Sequence, residues 1–454
     1  MVEQNDKTTI EIKQLFPILS PSVAIQQRPP DQYRLLYQGL PLYFSPDAIQ
    51  FFLLCDGTKS IYEIMQQIGA PGDADDPAQQ QGVLFFLRDA EHKGWITFLQ
   101  TRTQTTSGII PIGSFHISYP LSLSIELTYR CNLRCKHCYI NAGTENQKND
   151  IPTAKLLPIL TQLHGQGLRV ITLTGGEPML HPDFFKILDF CIRTFDHVDI
   201  MTNGTLITEE NAKIFAAIKQ KLGISISLDG STNERHEAVR GTAGCFEKTT
   251  KAIALLSQQS IKIRVAMATF PETEADVEPT LLLAKQLGAA SFTFSPALPF
   301  GRANQFHWNP TEEEIRSIEQ RHRVIIEKYK EFVRQLGADL LKQIQESKNC
   351  GAGYENFVVS PLGNLRACHV CNEAWFELGN LLQESPETIF SNPIISSFQN
   401  VQKPRKEVPP CDKCEYRLFC NGCWVRAINR NLNQKTPCMW LLQSGLQQHL
   451  KKSS

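Results

Sequence analysis

The chain has 454 residues, 46 Lys plus Arg against 46 Asp plus Glu, 42% hydrophobic residues and 14 cysteines. That length holds two or three domains with a sizeable core, and zero net charge counts against nucleic acid as the main partner. No run of about 18 apolar residues could cross a membrane, and residues 1–14 lack a basic-then-apolar signal, so a cytoplasmic protein with no membrane partner is expected. In a reducing compartment the cysteines read as metal ligands rather than disulfides. Three fall within 131–138 and eight between Cys350 and Cys438, ends included, whereas Cys55, Cys191 and Cys245 read as ordinary buried thiols.

In chain order, a first block (20–100) opens with strand signals at 22–26 and 33–37, continued by 40–43. Ser45-Pro46-Asp47 starts a helix as an N-cap followed by proline. A second helix begins at Ser60, and a third (82–93) precedes a strand at 95–99. A Ser/Thr/Gly-rich linker (101–118) follows. Next, apolar strands at 123–127, 170–173, 198–201, 224–228, 261–268 and 291–294 alternate with amphipathic helices such as 182–194, 209–221 and 245–258. Six β–α repeats predict an α/β fold with a parallel sheet and helices outside, either doubly wound or curled into a partial barrel. In both, the chemistry belongs at the carboxyl ends of the strands. A charged, helix-forming connector (301–347) leads to a turn-rich cysteine block (348–445). That block is expected to build little core of its own and to depend on metal for folding.

Cys131, Cys135 and Cys138 form a C-x3-C-x2-C loop at the end of the first strand of this sheet. Iron–sulfur clusters normally take four cysteines, so three on one loop leave one iron of a cubane for another ligand. A structural zinc completed by His137 is the alternative. The second strand ends in Gly175-Gly176-Glu177-Pro178, where the glycines permit close backbone approach to a ligand and Glu177 can accept from an ammonium group. A glycine-rich strand-to-helix turn would explain the pair alone. The third strand closes with Asn203, and the fourth carries Ser225, Ser227 and Asp229. The C-terminal block presents Cys350, a G-x4-C element ending at Cys368, Cys371, the run Cys411-x2-Cys414-x5-Cys420-x2-Cys423, and Cys438. Eight ligands exceed one zinc ribbon, though two zincs could use them all.

The cluster loop followed by Gly-Gly-Glu-Pro resembles the radical S-adenosylmethionine (radical SAM) family over roughly 122–296. The resemblance implies a partial (β/α)6 TIM-type barrel over 119–300 and a [4Fe–4S] cluster on Cys131, Cys135 and Cys138 whose open iron binds S-adenosylmethionine. It further implies reductive cleavage to a 5′-deoxyadenosyl radical, with the protein binding, orienting and excluding water. By the same resemblance Gly175, Gly176 and Glu177 hold the methionine amino group, and Asn203, Ser225, Ser227 and Asp229 serve the ribose or the carboxylate. Arg240 pairs with the carboxylate, and His137 stands where the family places a ring against adenine.

The cysteine block resembles the SPASM extension of peptide-modifying radical enzymes, which carries two auxiliary iron–sulfur clusters. That implies Cys411, Cys414, Cys420 and Cys438 on one cluster and Cys350, Cys368 and Cys423 on the other, with Cys371 a candidate fourth ligand. Two departures stand out. Cys420 and Cys423 enclose two residues where the family has three, and His369 follows the G-x4-C cysteine where sulfatase-maturing enzymes place an Asp base, which leaves His369 a candidate base. The first block, with its strands, helix and the stretch 54–64, resembles the winged-helix-like PqqD fold that binds leader peptides by strand addition. Its alternative is a small winged helix that binds nothing.

The expectation is a radical SAM/SPASM enzyme that modifies a ribosomally made precursor peptide and draws electrons from a donor such as a flavodoxin or ferredoxin. Its rivals are an enzyme acting on a haem or quinone cofactor precursor, a sulfatase-maturase-like enzyme, and a zinc-held peptide-binding scaffold.

Overall fold

The computed structural model describes Thr8 and residues 10–69, 74–103, 108–143, 149–270, 272–297, 300–306, 311–333, 348–420, 422–432 and 437–451. It divides into two units, 1–119 with 163–169, and 120–162 with 170–454.

In the first unit β1 (Phe16–Leu19) pairs antiparallel with β5 (Ile96–Leu99). β2 (Val23–Arg28), β3 (Gln32–Tyr37) and β4 (Leu40–Leu42) form an antiparallel meander, and β6 (Ile112–Gly113) joins β2 in parallel. Gln38 and Gly39, both at positive φ (51° and 76°), make the two-residue turn between β3 and β4, the geometry that matches strand twist. Ser45 caps the helix Pro46–Leu53, and Ser60 with Glu63 makes a capping box for Ile61–Ile68. The third helix, Pro77–His92, starts at its Asp76 cap, five residues before the sequence suggests, because its first turn is polar. Ile25, Leu35, Phe52, Ile61, Leu87 and Trp95 share one core. β1 has no sequence signal: four residues with an internal proline become a strand only against a partner almost eighty residues away.

In the second unit β7 (Ser122–Glu126), β8 (Val170–Thr174), β9 (His197–Thr202), β10 (Leu222–Ser227), β11 (Ile263–Thr269) and β12 (Ser291–Pro296) lie side by side in sequence order, all parallel. Right-handed crossovers without a reversal of order put every connecting helix on one face, so the sheet is singly wound, in the manner of a barrel. The side chains agree. Ile125, Ile171, Leu173, Ile226, Val265 and Phe292 are fully buried. In the alternate positions Ser124, Thr172 and Asp199 stand in register, as do Ser225, Arg264 and Ser291. Each buried apolar side chain contributes about 1.5–3 kcal/mol, and a one-residue slip would turn the set toward the polar face. The inner face is therefore free for polar work.

The C-terminal block continues this sheet. β13 (Asn356–Val359) adds in parallel beside β7, and β14 (Leu365–Arg366) returns antiparallel to β13. The block also has a core of its own, contrary to expectation: Trp424 stacks on Phe398 at 5.1 Å, and Phe376 meets Phe398 edge-on at 5.0 Å. Aromatic residues spread over short helices (Pro393–Asn400, Trp424–Leu432) build it without any long apolar period. Of the connector, helix Glu312–Lys328 is described, whereas 307–310 and 334–347 lie outside the described residues, as do 104–107 of the linker. Among the described residues no helix is long and apolar enough to cross a membrane.

Candidate active site

Cys131, Cys135 and Cys138 leave the carboxyl end of β7 on a loop pinned from several sides. The Arg134 and Lys136 N–H groups donate to the Arg240 and Val239 carbonyls at 3.0 and 2.9 Å, tying the loop to the end of helix Asn233–Arg240. Beyond β12, Arg302 donates from Nε to the Cys135 carbonyl (2.8 Å) and from a terminal nitrogen to the Ala142 carbonyl (2.9 Å). Each sulfur faces a donor: Leu133 N–H reaches Cys131 at 3.4 Å, Ala142 N–H reaches Cys138 at 3.3 Å, and the Arg240 guanidinium lies 3.6 Å from Cys135. Burial pushes the Cys131 thiol up to about 12 and raises Cys135 against the pull of Arg240. Buried thiols met by N–H donors suit metal-bound thiolates, since the metal supplies the charge that burial withholds and N–H bonds to sulfur tune a cluster. Cys245, an unassigned buried thiol, packs against this loop.

The glycines of Gly175-Gly176 meet the loop itself rather than open space. A Cβ on Gly175 (φ 135°) would stand 2.5 Å from the Thr128 carbonyl oxygen, and one on Gly176 would stand 2.1 Å from that of Arg130. The Gly176 and Glu177 N–H groups donate to those same carbonyls at 2.7 and 2.9 Å. Glu177 is fully buried, and its carboxylate accepts from Thr202 Oγ1 (2.8 Å) and the Asn203 N–H (2.9 Å), strapping the turn to the end of β9. Burial lifts it to about 7 against those bonds. Asn203 is likewise engaged, donating from its amide to Asn132 Oδ1 at 3.0 Å.

Ser225 accepts from Arg264 Nε at 3.2 Å, and Ser227 lies half-buried on the same inner face. Asp229 and Arg240 form a buried ion pair. Arg240 Nε lies 2.8 Å from Asp229 Oδ2, with both side chains buried. A buried charge must pair. Burial alone would raise the Asp229 carboxyl, but Arg240 and then His137, 3.6 Å away, bring it below its usual range. Burial lowers His137 to about 4, so its ring is neutral, and its Nδ1 is buried without a hydrogen-bond partner among the described residues.

The C-terminal thiols fall into two groups. Cys368 is raised by burial and then by Cys371, Cys423 and Cys350. Cys420 is raised to about 12 by burial and then by Cys438, Cys414 and Cys411. The second group lines a cavity of about 420 Å³. Backbone N–H groups of Val370, Arg426 and Arg405 reach Cys368, Cys423 and Cys411.

Three residues without a sequence signal, Glu126, Tyr139 and Arg366, join the barrel to the cysteine block. Glu126, the last residue of β7 and fully buried, forms an ion pair with Arg366 of β14 and accepts from Tyr139 Oη at 3.0 Å. Tyr139 Oη also lies 3.2 Å from His369 Nδ1. Tyr139 follows Cys138 and His369 follows Cys368, so this bond links the two ligand loops. Burial and then Arg366 press His369 to about 4, which makes it a neutral hydrogen-bonding residue and a weak base. Arg302, already placed on the cluster loop, is a further residue beyond the reach of sequence alone. A cavity of about 480 Å³ opens here, lined among others by Tyr129, Tyr139, Phe300, Arg366, His369 and Cys371.

Residues 125–284 match the family model of the radical SAM superfamily, and 350–415 match that of the SPASM iron–sulfur cluster-binding domain. The antilisterial bacteriocin subtilosin biosynthesis protein AlbA of Bacillus subtilis is 30% identical over 445 residues, 94% of this chain and 97% of that protein. The AdoMet-dependent heme synthase of Methanosarcina barkeri is 28% identical over 329 residues, 68% of this chain and 92% of that protein. Among solved structures, Streptococcus suis SuiB bound to the precursor peptide SuiA aligns with TM-score 0.64 at 14% identity, over 93% of this chain and 98% of SuiB.

Proposed function

Because this chain belongs to the radical SAM superfamily, with a SPASM iron–sulfur domain behind its core, we propose that it is a maturase acting on a ribosomally made precursor peptide. The observation that carries the peptide reading is the AlbA likeness, which runs through the N-terminal unit, where the haem synthase likeness covers about two thirds of the chain. When bound, the [4Fe–4S] cluster and S-adenosylmethionine supply a 5′-deoxyadenosyl radical that takes hydrogen from the substrate, installing a crosslink, thioether or backbone rearrangement.

The chain's own residues do the rest. Cys131, Cys135 and Cys138 hold the cluster, and Arg302 with the end of helix Asn233–Arg240 fixes their loop. Gly175, Gly176 and Glu177 bring the methionine-binding turn against that loop, and Asp229 holds Arg240 beside Cys135. Ser225 and Ser227 face the cofactor from the polar side of the sheet, and His137 presents its unpartnered Nδ1 to the adenine edge. Cys350, Cys368, Cys371 and Cys423 hold an inner auxiliary cluster, and Cys411, Cys414, Cys420 and Cys438 an outer one. The cavity at Tyr139 and His369 takes the reacting segment of the peptide, which its aromatic walls shield from water.

The N-terminal unit is read as a PqqD-like leader-binding domain. Supporting this, β4 ends its sheet, and Leu40 on it and Tyr43 just after it are exposed at 63% and 64%. Such apolar exposure beside a strand edge suits an added peptide strand. The same reading keeps the enzyme in the reducing cytoplasm, supplied by a flavodoxin or ferredoxin.

The test is anaerobic incubation with reductant, S-adenosylmethionine and the precursor peptide from a neighbouring reading frame. The intact protein should form 5′-deoxyadenosine and shift the peptide mass, and Cys131→Ala should do neither. Equal 5′-deoxyadenosine from both removes the radical assignment, and radical formation with an unaltered peptide removes the peptide reading.

A further inference from the structure

We infer that Arg302 is a positioning residue whose uncancelled charge sets how readily the cluster on Cys131, Cys135 and Cys138 accepts an electron. This role goes beyond fixing the loop, and it holds whether or not the substrate is a peptide. The other basic residues on or against the loop are either paired or wet. Arg130 lies 2.6 Å from Asp150 and Arg240 lies 2.8 Å from Asp229. Arg134 and Lys136 are exposed, where water and salt screen their charge. Arg302 is half-buried and has no carboxylate partner among the described residues.

What Arg302 binds is the ligand loop itself. Its main-chain N–H donates to the Cys138 carbonyl at 3.0 Å, its Nε to the Cys135 carbonyl at 2.8 Å and its Nη1 to the Ala142 carbonyl at 2.9 Å. The Cys135 carbonyl also accepts from the Cys138 N–H at 3.3 Å. Gly301 makes this seat possible. At φ 56° it stands so close that a Cβ would lie 2.3 Å from the Cys138 carbonyl oxygen.

Carbonyl oxygens carry partial negative charge, which opposes the addition of an electron nearby. A guanidinium bound to them works the other way, since net charge and hydrogen bonding around a cluster set its potential. Arg240 comes within 3.6 Å of the Cys135 sulfur, but Asp229 travels with it, so that pair adds little net charge. Arg302 therefore supplies the half-buried cation that the reduced cluster feels. Reduction moves one electron from an external reductant such as dithionite, which is oxidised, to the iron held by the three thiolates. No proton or covalent bond changes hands.

Anaerobic redox titration of the reconstituted full-length protein with dithionite, followed by electron paramagnetic resonance, tests this. The cluster with the open iron is told from the auxiliary ones by the signal that changes when S-adenosylmethionine is added. For that signal Arg302→Gln should lower the reduction equilibrium constant about tenfold, a shift of about 59 mV to more negative potential. Arg302→Lys keeps the charge and should shift it by less than half as much. In both variants the auxiliary signals should hold their potentials, and iron content should match the parent. An unchanged potential in Arg302→Gln overturns the inference. So does an equal shift in Arg302→Lys, because loop geometry rather than charge would then be the cause. A parallel shift of the auxiliary signals, or iron lost from either variant, overturns it as well, since Arg302 would then serve only to hold the fold. A parent with no signal that answers to S-adenosylmethionine strikes the radical assignment itself, and this inference with it.

Discussion

Replacing Arg366 with Met tests whether one buried ion pair fastens the cysteine block to the barrel. Glu126 is fully buried and Arg366 is 7% exposed, and the Glu126 oxygen that meets Arg366 also accepts from Tyr139. Burial already raises the Glu126 carboxyl against the pull of Arg366, so removing the cation strands an acid in a dry site. Breaking one side of such a pair costs about 3–5 kcal/mol. The cost falls where β13 lies between β7 and β14, so the amides of Val358 and Val359 should report it in hydrogen exchange. At about 1.36 kcal/mol per tenfold, local opening should rise by roughly two to nearly four orders of magnitude. Glu126→Leu combined with Arg366→Met, apolar on both sides, should cost less than either single change, chiefly the acceptor that Tyr139 loses, about 1 kcal/mol. A single variant costing under about 1 kcal/mol, or a double variant costing the sum of the singles, would show that the pair fastens nothing.

Gly176→Ala should empty the cluster loop, because its Cβ would stand 2.1 Å from the Arg130 carbonyl oxygen and backbone cannot yield as a side chain can. Iron and sulfide analysis should find about four irons fewer per chain, with the auxiliary thiols still loaded; full loading would refute the close-approach argument. Glu177→Gln should flatten the pH dependence of stability. Burial raises this carboxyl from 4.5 to about 7, so the folded chain holds its proton more tightly than the unfolded chain. Its contribution, on the order of 3 kcal/mol, is complete below the unfolded value and lost as pH rises through about 7. Denaturant midpoints at pH 5 and pH 8 should therefore differ less in the variant than in the parent, and equal slopes would remove Glu177 as the cause.

Much of this protein is local and so readable in one dimension. Three thiols within eight residues, a Gly-Gly-Glu-Pro turn one repeat later and six apolar strands are patterns of neighbours, and each stands at a strand end as its spacing implies. Helix Cys245–Gln258 has the bounds its periodicity predicts, because cap, apolar stripe and terminus all lie in the segment. Other features needed partners far along the chain. β1 exists because β5 pairs with it, and β13 becomes part of the barrel sheet because β7 offers an edge more than two hundred residues away. Arg240 looks like a ligand for a carboxylate in sequence, yet in the folded chain the carboxylate it meets is Asp229. The join of Glu126, Tyr139 and Arg366 to His369 has no spacing signal, since no local pattern marks a buried pair whose members lie 240 residues apart. Sequence determined the chemistry that each loop can hold, because ligand type and spacing are covalent facts. Tertiary structure alone decided which loops meet, because desolvated charges and unpaired strand edges are satisfied only by distant partners.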